Sequence, residues 1–204
     1  MSKDYTEAFL KACSFTEHLG CVCPKINVVN EFFLDSEEKQ FRVLNSLQKK
    51  FNEQYGVPSV ADFFAQCIST SYLMQPVLSE IIGSPCALTF GYVTEGGEAF
   101  FRQEDIFFHN SLRNGVPDIV NIHAWLTLPS MEILDLTLCT TRLIALLRQR
   151  KLEVNAFHEA LIGSPDFGGI IVGDGDNLKG TDVKFHPQVI GEDFMLKAGF
   201  LRFN

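Results

Sequence analysis

The chain has 204 residues, of which 46% are hydrophobic and 21% charged, so it is long enough for one domain with a substantial buried core. Its formal net charge of −8 and its pI near 5.1 argue against a nucleic-acid-binding protein, because neutralising phosphates requires a basic surface. No apolar stretch approaches transmembrane length, and no apolar signal segment opens the chain. We therefore expect one cytoplasmic domain without a membrane or nucleic-acid partner, although export without a signal peptide would also fit.

The cysteine content indicates free thiols. The chain contains six cysteines, which are Cys13, Cys21, Cys23, Cys67, Cys86 and Cys139. In a protein of this size without a secretory signal, reduced thiols are favoured over a disulfide framework. The N-terminal cysteines lack the C-x2-4-C spacing of a zinc knuckle and no second ligand pair follows them. We therefore expect no metal and no other cofactor.

The first 55 residues are predicted to form a helical N-terminal lobe. Apolar residues recur at helical spacing over 5–19 and over 36–54. The sequence Asp35-Ser36-Glu37-Glu38 opens the second of these segments and can supply a side-chain oxygen that caps the first free amides. Two helices are therefore expected in this lobe.

A third helix is predicted up to Ile82, where Gly83-Ser-Pro85 ends it. A Gly-Val-Pro break precedes this helix, and either Ser59 or Asp62 can cap its start. Pro76 lies inside it and is expected to kink it or divide it, because proline has no N–H to donate to the helix.

A run of antiparallel strands is predicted in the middle of the chain. Glu95-Gly96-Gly97-Glu98 is typical of a hairpin turn, and Pro129-Ser130 of a short connection between strands. Between them, residues 104–118 are polar and mixed and predict no regular element. The predicted strands cover 86–94, 98–103, 119–128 and 131–137.

The last third of the chain predicts helices over 140–151 and 154–162, followed by a glycine-rich tail. The tail contains an acidic, glycine-rich stretch that loosely suggests a calcium loop. An EF-hand loop needs an oxygen ligand at its fifth position and glycine at its sixth, where this chain has Leu178 and Lys179. A solvated loop is therefore expected. Helices, then antiparallel strands, then mixed structure indicate an α+β fold.

Three residues suggest a nucleophilic site. His123-Ala-Trp125 lies on one predicted strand, and Asp135 lies on the next, twelve residues after the histidine. Cys67 lies near the start of the third predicted helix, where free amides and the helix dipole favour a thiolate. Nucleophilic catalysis requires such a thiol, a base that takes its proton, and a third group that orients the base.

The chain resembles the transglutaminase-like branch of the papain-like cysteine enzymes over about residues 60–138. In that family a cysteine opens a helix, a turn follows, and a strand ending in Gly-Tyr leads to an H-A-W strand and then an Asp strand. The matching segments, in order, are Cys67, Gly83-Ser-Pro85-Cys86-Ala, Gly91-Tyr92-Val93, His123-Ala-Trp125 and Asp135-Leu-Thr137. The resemblance implies a papain-like fold with a transglutaminase-like core in 60–138 and a C-terminal extension over 139–204.

The resemblance also implies a role for each residue of the triad. Cys67 would be the nucleophile, His123 the general base and acid, and Asp135 the residue that orients the imidazole. Cys86 falls where the family has an ordinary turn residue, which argues against it as the nucleophile.

Two further residues are expected at the site. An oxyanion hole would use the backbone N–H of Cys67 together with the amide side chain of Gln66. Trp125 is expected beside His123, either in contact with substrate or in the core.

The expected activity is cysteine-dependent acyl transfer on the amide or peptide bond of a peptide, a protein or a small amide. Hydrolysis, as by a protease, amidase or deamidase, is favoured over cross-linking because nothing in the sequence identifies a site for an acceptor amine.

Two alternative functions stay open. A helix cysteine is usually a small buried hydrophobe and a strand histidine a hydrogen-bonded core residue, so the chain could be a non-catalytic interaction module that retains the fold. Its 19 phenylalanines would then supply a core or a docking groove. The other alternative is an exported transglutaminase or acyltransferase effector that modifies other proteins.

Overall fold

The computed structural model describes residues 3–56, 65–117, 119–151, 169–176, 178 and 181–200. Within these residues the helices are α1 Lys3–His18, α2 Glu37–Tyr55, α3 Cys67–Ile82, α4 Asp105–Asn114, α5 Leu138–Gln149 and α6 Glu192–Ala198. The strands are β1 Ala87–Glu95, β2 Glu98–Phe100, β3 His123–Thr127, β4 Glu132–Asp135, β5 Ile171–Asp174 and β6 Lys184–Ile190. No helix in the described part of the chain is long and apolar enough to cross a membrane.

Strand β1 is the centre of an antiparallel sheet. One of its edges pairs with β6, and its other edge pairs first with β3 and then with β2. Strand β4 continues the sheet beyond β3, and β5 lies beyond β4. Helices α1 to α3 precede this sheet along the chain, so the predicted α+β class is confirmed.

The two faces of the sheet contact different apolar clusters, as the two-residue period of a strand requires. In β3, Ala124 and Leu126 belong to the cluster that contains buried residues of α2 and α3. Trp125 belongs to the cluster that contains Tyr5 and Phe9 of α1. The strand that opens with His123 is therefore covered by helices on both faces.

Helix α1, the first helix of the predicted N-terminal lobe, packs directly on the sheet. The Tyr5 hydroxyl shares a 2.7 Å hydrogen bond with Thr127, and the Trp125 indole N–H donates to the same tyrosine oxygen at 2.8 Å. Near the other end of the helix, the Thr16 hydroxyl oxygen accepts the backbone N–H of Ile190 at 2.8 Å. These buried bonds join the first helix to β3 and to β6.

The residues after 138, expected to be an extension, belong to the same sheet. Strand β6 pairs with β1 and carries Pro187 beside a bulge, where the missing N–H of proline breaks no regular ladder. In the acidic loop after β5, Asp176 accepts the backbone N–H groups of Asp4 and Tyr5 at 3.1 and 2.8 Å. This carboxylate therefore caps the start of α1. The helix predicted over 154–162 lies outside the described residues.

Residues 104–118 were expected to be irregular, and this prediction was wrong, because they contain helix α4. Phe108 of this helix is fully buried, with ring centroids 5.9 Å from Phe15 and 5.7 Å from Phe194. Two residues earlier, the equally apolar Ile106 is 63% exposed, so the apolar residues of this segment do not mark its buried face in the sequence. Helix α4 is therefore stabilised by the packing of the Phe108 ring against α1 and α6, and its local helix propensity contributes little.

Candidate active site

Cys67 is the first residue of α3. Ala65 has φ +56°, which prevents a helix from continuing through it, and the first helical bond runs from the N–H of Thr70 to the carbonyl of Gln66 at 2.8 Å. The helix that carries the cysteine therefore begins at Cys67, and the predicted caps Ser59 and Asp62 lie outside the described residues. The unpaired amides and the positive end of the helix dipole lie at Cys67. The helix is not divided at Pro76.

His123 and Asp135 come together because β3 and β4 are antiparallel. Leu126 lies opposite Leu134, and continuing this register puts Asp135 diagonal to His123 on the same face. The imidazole Nε2 lies 2.5 Å from the carboxylate Oδ2. His123 is 2% exposed and Asp135 1%, so water does not screen this interaction.

The second oxygen of Asp135 fixes the carboxylate. Oδ1 accepts the backbone N–H groups of Thr137 and Leu138 at 2.9 and 3.1 Å, and the Thr137 hydroxyl donates to it at 3.3 Å. Leu138 opens α5, so the charge also lies at a helix N-terminus. Burial alone would raise the pKa of Asp135, but His123 and these two amides lower it below its usual value.

The imidazole of His123 is held between the carboxylate and the thiol. Burial disfavours the imidazolium, but the charge and hydrogen bond of Asp135, together with the contact with Cys67, raise the pKa of His123 to about 10. Since Nε2 bonds to Asp135, Nδ1 is the ring nitrogen left to exchange a proton with the thiol. The Cys67 sulfur also lies 3.7 Å from the carbonyl oxygen of Ile122, the residue before the histidine.

Aromatic rings surround the imidazole. Its centroid lies 5.3 Å from Phe101, 5.9 Å from Trp125 and 6.4 Å from Phe185. Trp125 is fully buried and bonded to Tyr5, so it supports the histidine from inside the core, away from any bound substrate.

Phe101 was not identified from the sequence. It follows β2 with φ +72°, a left-handed conformation that a side chain rarely adopts, and its ring stacks on His123 at an interplanar angle of 29°. No local sequence signal predicts such a backbone angle for phenylalanine.

The glycine of the Gly-Tyr motif has a steric role. A Cβ on Gly91 would overlap the carbonyl oxygen of His186 and would lie 2.8 Å from the Trp125 ring. Gly91 also pairs with His123 across the β1–β3 ladder. Strand β6 and Trp125 can therefore approach β1 only because residue 91 has no side chain.

Gln66, the predicted oxyanion-hole residue, precedes Cys67 in the chain and lines the same cavity. Its side-chain oxygen Oε1 accepts the hydroxyl of Ser69 at 2.7 Å, which leaves the amide nitrogen as the donor. With the Cys67 backbone N–H, this nitrogen is a candidate donor to a developing oxyanion.

Cys86, the rival thiol, lies at a different place in the fold. It is buried just before β1, and its backbone N–H bonds to the hydroxyl of Ser79 at 3.0 Å. Burial raises the pKa of Cys86 to about 12, so this thiol is protonated at neutral pH.

Among the described residues, no group of three or more His, Cys, Asp and Glu side chains is arranged to hold a metal ion. Comparison with protein-family models, with characterised proteins and with solved structures finds no match to this chain.

Proposed function

We propose that this protein is a cysteine-dependent acyl-transfer enzyme with a papain-like, transglutaminase-like core. The observation that supports the proposal is the continuous contact from the Cys67 thiol through the His123 imidazole to the Asp135 carboxylate, with the thiol at a helix N-terminus. A core histidine needs only one hydrogen-bond partner. This imidazole contacts a nucleophile on one side and a fixed anion on the other, as general base catalysis requires.

In the proposed reaction, the Cys67 thiolate attacks the carbonyl carbon of an amide or peptide bond. The new C–S bond pushes the carbonyl electrons onto oxygen, where the N–H of Cys67 and the Gln66 amide can donate to the oxyanion. The oxyanion then re-forms the carbonyl, the C–N bond breaks, and imidazolium His123 donates its Nδ1 proton to the leaving amine.

The resulting thioester is released by water. His123, now neutral, takes a proton from the attacking water, and a second tetrahedral intermediate expels the Cys67 thiolate and frees the carboxylic acid. Asp135 stabilises the imidazolium in both halves of the reaction. Hydrolysis of a peptide, a protein or a small amide is the outcome that needs no second substrate site. The chemistry requires a reduced Cys67, which favours the cytoplasm as its location.

Acetylation by p-nitrophenyl acetate, followed by peptide mass spectrometry, tests this proposal directly. We expect Cys67 to be acetylated at least about 100-fold faster than Cys139, because His123 lies beside Cys67, whereas burial and the charge of Asp135 raise the pKa of Cys139. Cys67→Ser should abolish the fast phase, and His123→Ala should slow it by about 100- to 10,000-fold. Cys139→Ser is the matched control and should leave the fast phase unchanged. If Cys67 is acetylated no faster than Cys139, the enzyme proposal would be overturned and an interaction module would be favoured.

A further inference from the structure

We propose that the cavity beside Cys67 receives an uncharged, apolar chain on the acyl side of the substrate. This inference rests on the proposed function, since it assigns the substrate class of the same site. The cavity has a volume of about 550 Å³, and Cys67 itself lines it. A space of this size holds a small organic group, since ligand pockets measure roughly 300–1,000 Å³.

Three elements build the walls of this cavity. The first turn of α3 forms one wall, the segment leading into β3 forms the second, and the residues after α6 form the third. The main apolar wall residues are Ile68, Val116, Val120, Ile122 and Phe200.

Contacts with the core hold these walls in place. The N–H of Val116 bonds to the carbonyl of Ala198 at 3.1 Å, which ties the second wall to α6. The Phe200 ring lies 5.8 Å from Phe90 and 5.7 Å from Phe194, measured between centroids. The cavity is thus formed before any ligand binds, which lowers the entropy cost of binding.

The lining determines which chains fit. None of the described lining residues carries a charged side chain, and the side chains of Gln66 and Ser69 bond to each other. Away from the Gln66 amide and the first amides of α3, a charged group in this cavity would lose water without gaining a charged partner. An apolar chain would instead gain from burial against the aliphatic walls and Phe200.

Ile119 marks the open side of the cavity. Its side chain is 89% exposed although it is a large hydrophobic residue, and it lines the same space as Cys67. A chain extending from the thioester carbonyl would cover this isoleucine.

A different cysteine provides an internal reference. Cys139 lines a separate cavity of about 750 Å³, and that cavity also contains Glu95, Arg142 and Asp174. Both thiols are partly accessible, but of the two cavities only the one beside Cys67 has no charged side chain among its described lining residues. The two thiols should therefore respond differently to the same apolar reagent.

A series of N-alkylmaleimides, from N-methyl through N-butyl to N-hexyl, tests the proposal in the full-length protein. The rate at each cysteine is read by peptide mass spectrometry. Burial of one methylene can contribute up to about fourfold, so we expect the N-hexyl reagent to label Cys67 at least about tenfold faster than the N-methyl reagent. At Cys139 the two rates should agree to within about twofold.

Two matched variants test whether the dependence of the Cys67 labelling rate on chain length arises in this cavity. Ile119→Asp puts a charge at the rim of the cavity and should cut the N-hexyl to N-methyl ratio at Cys67 to below about threefold. Ile106→Asp makes the same change on α4, where Ile106 is 63% exposed and lies outside the cavity lining, and should leave the ratio unchanged.

The outcomes separate this proposal from the proposed function. His123→Ala should lower every rate at Cys67 and keep the chain-length ratio, because the ratio depends on the cavity alone. If Cys67 is labelled rapidly but its N-hexyl to N-methyl rate ratio equals that of Cys139, the apolar-chain proposal would be overturned and the enzyme proposal would still hold. If Cys67 is labelled slowly but still about tenfold faster by the N-hexyl than by the N-methyl reagent, the result would support the apolar-chain proposal and contradict the enzyme proposal.

Discussion

At the scale of single residues, Asp135 shows how one side chain links two elements. One carboxylate oxygen bonds to His123 on β3, and the other accepts two amides at the start of α5. Its capping role needs only an oxygen acceptor, which an asparagine also supplies. Stabilising an imidazolium requires the negative charge. The two roles can therefore be separated by one substitution.

Asp135→Asn should reduce the labelling of Cys67 by iodoacetamide at pH 7 by about 100-fold, because a neutral amide does not hold His123 as the imidazolium partner of a thiolate. The measurement is the labelling rate at Cys67 across pH, read by peptide mass spectrometry. Asp176→Asn is the control, since that carboxylate also accepts two backbone amides but is bonded to α1. Equal rates in wild type and Asp135→Asn would show that the carboxylate serves only as a cap.

At the scale of elements, the site depends on how closely β6 and Trp125 approach β1. Gly91 is the position where the approach is tightest, and it also marks the shift in register between β1 and β6. In the sequence, this glycine is recognisable as part of the Gly-Tyr motif. Its steric reason became visible only with the sheet, because the atoms around it come from residues about 30 and 95 positions further along the chain.

Gly91→Ala should therefore destabilise the fold by about 1–3 kcal/mol or more, since the new methyl group meets backbone and an immobile ring. Urea denaturation measures the change. Gly97→Ala is the matched control: no atom lies within 4 Å of its Cβ position, but its φ is +85°, so only backbone strain of about 1 kcal/mol applies. A Gly91→Ala loss no larger than that of Gly97→Ala would contradict the tight approach.

Elements with local signals were predicted well. Ser36 caps α2 through a 3.3 Å bond from the N–H of Lys39, and Gly83 ends α3 in the left-handed conformation. Elements without such signals were missed or misplaced. Helix α4 depends on the packing of Phe108, and α3 begins at Cys67 because of the backbone angle at Ala65.

At the scale of the whole molecule, the buried His123–Asp135 pair links stability to pH. The fold raises the pKa of His123 from 6.5 to about 10. Above about pH 6.5 the folded His123 imidazole therefore keeps a proton that the same imidazole releases in the unfolded chain. This contribution to stability is complete below pH 6.5 and is lost progressively as the pH rises toward 10.

In Cys67→Ala, which has no thiol that could give its proton to the imidazole, we expect the free energy of unfolding to fall by on the order of 1 kcal/mol between pH 6.5 and 8. Urea denaturation at these two pH values is the measurement. In the same Cys67→Ala background, Asp135→Asn should reduce the fall, since His123 then loses its charged partner. His186→Gln should leave it intact, because burial, with Lys184 and Arg102, already lowers the pKa of that ring. Stability of Cys67→Ala that is constant or rises with pH would contradict the raised pKa.

The sequence by itself determined the α+β class, the caps and turns near Ser36, Gly83 and Gly96, and the three residues that define the candidate site. These features depend on local periodicity, on turn chemistry and on residue type. Only the tertiary structure decided that β6 pairs with β1, that α1 packs on the sheet, and that an apolar cavity opens beside the thiol. The physical reason is that each of these depends on contacts between segments distant in sequence, whose formation is decided by the packing of the whole core.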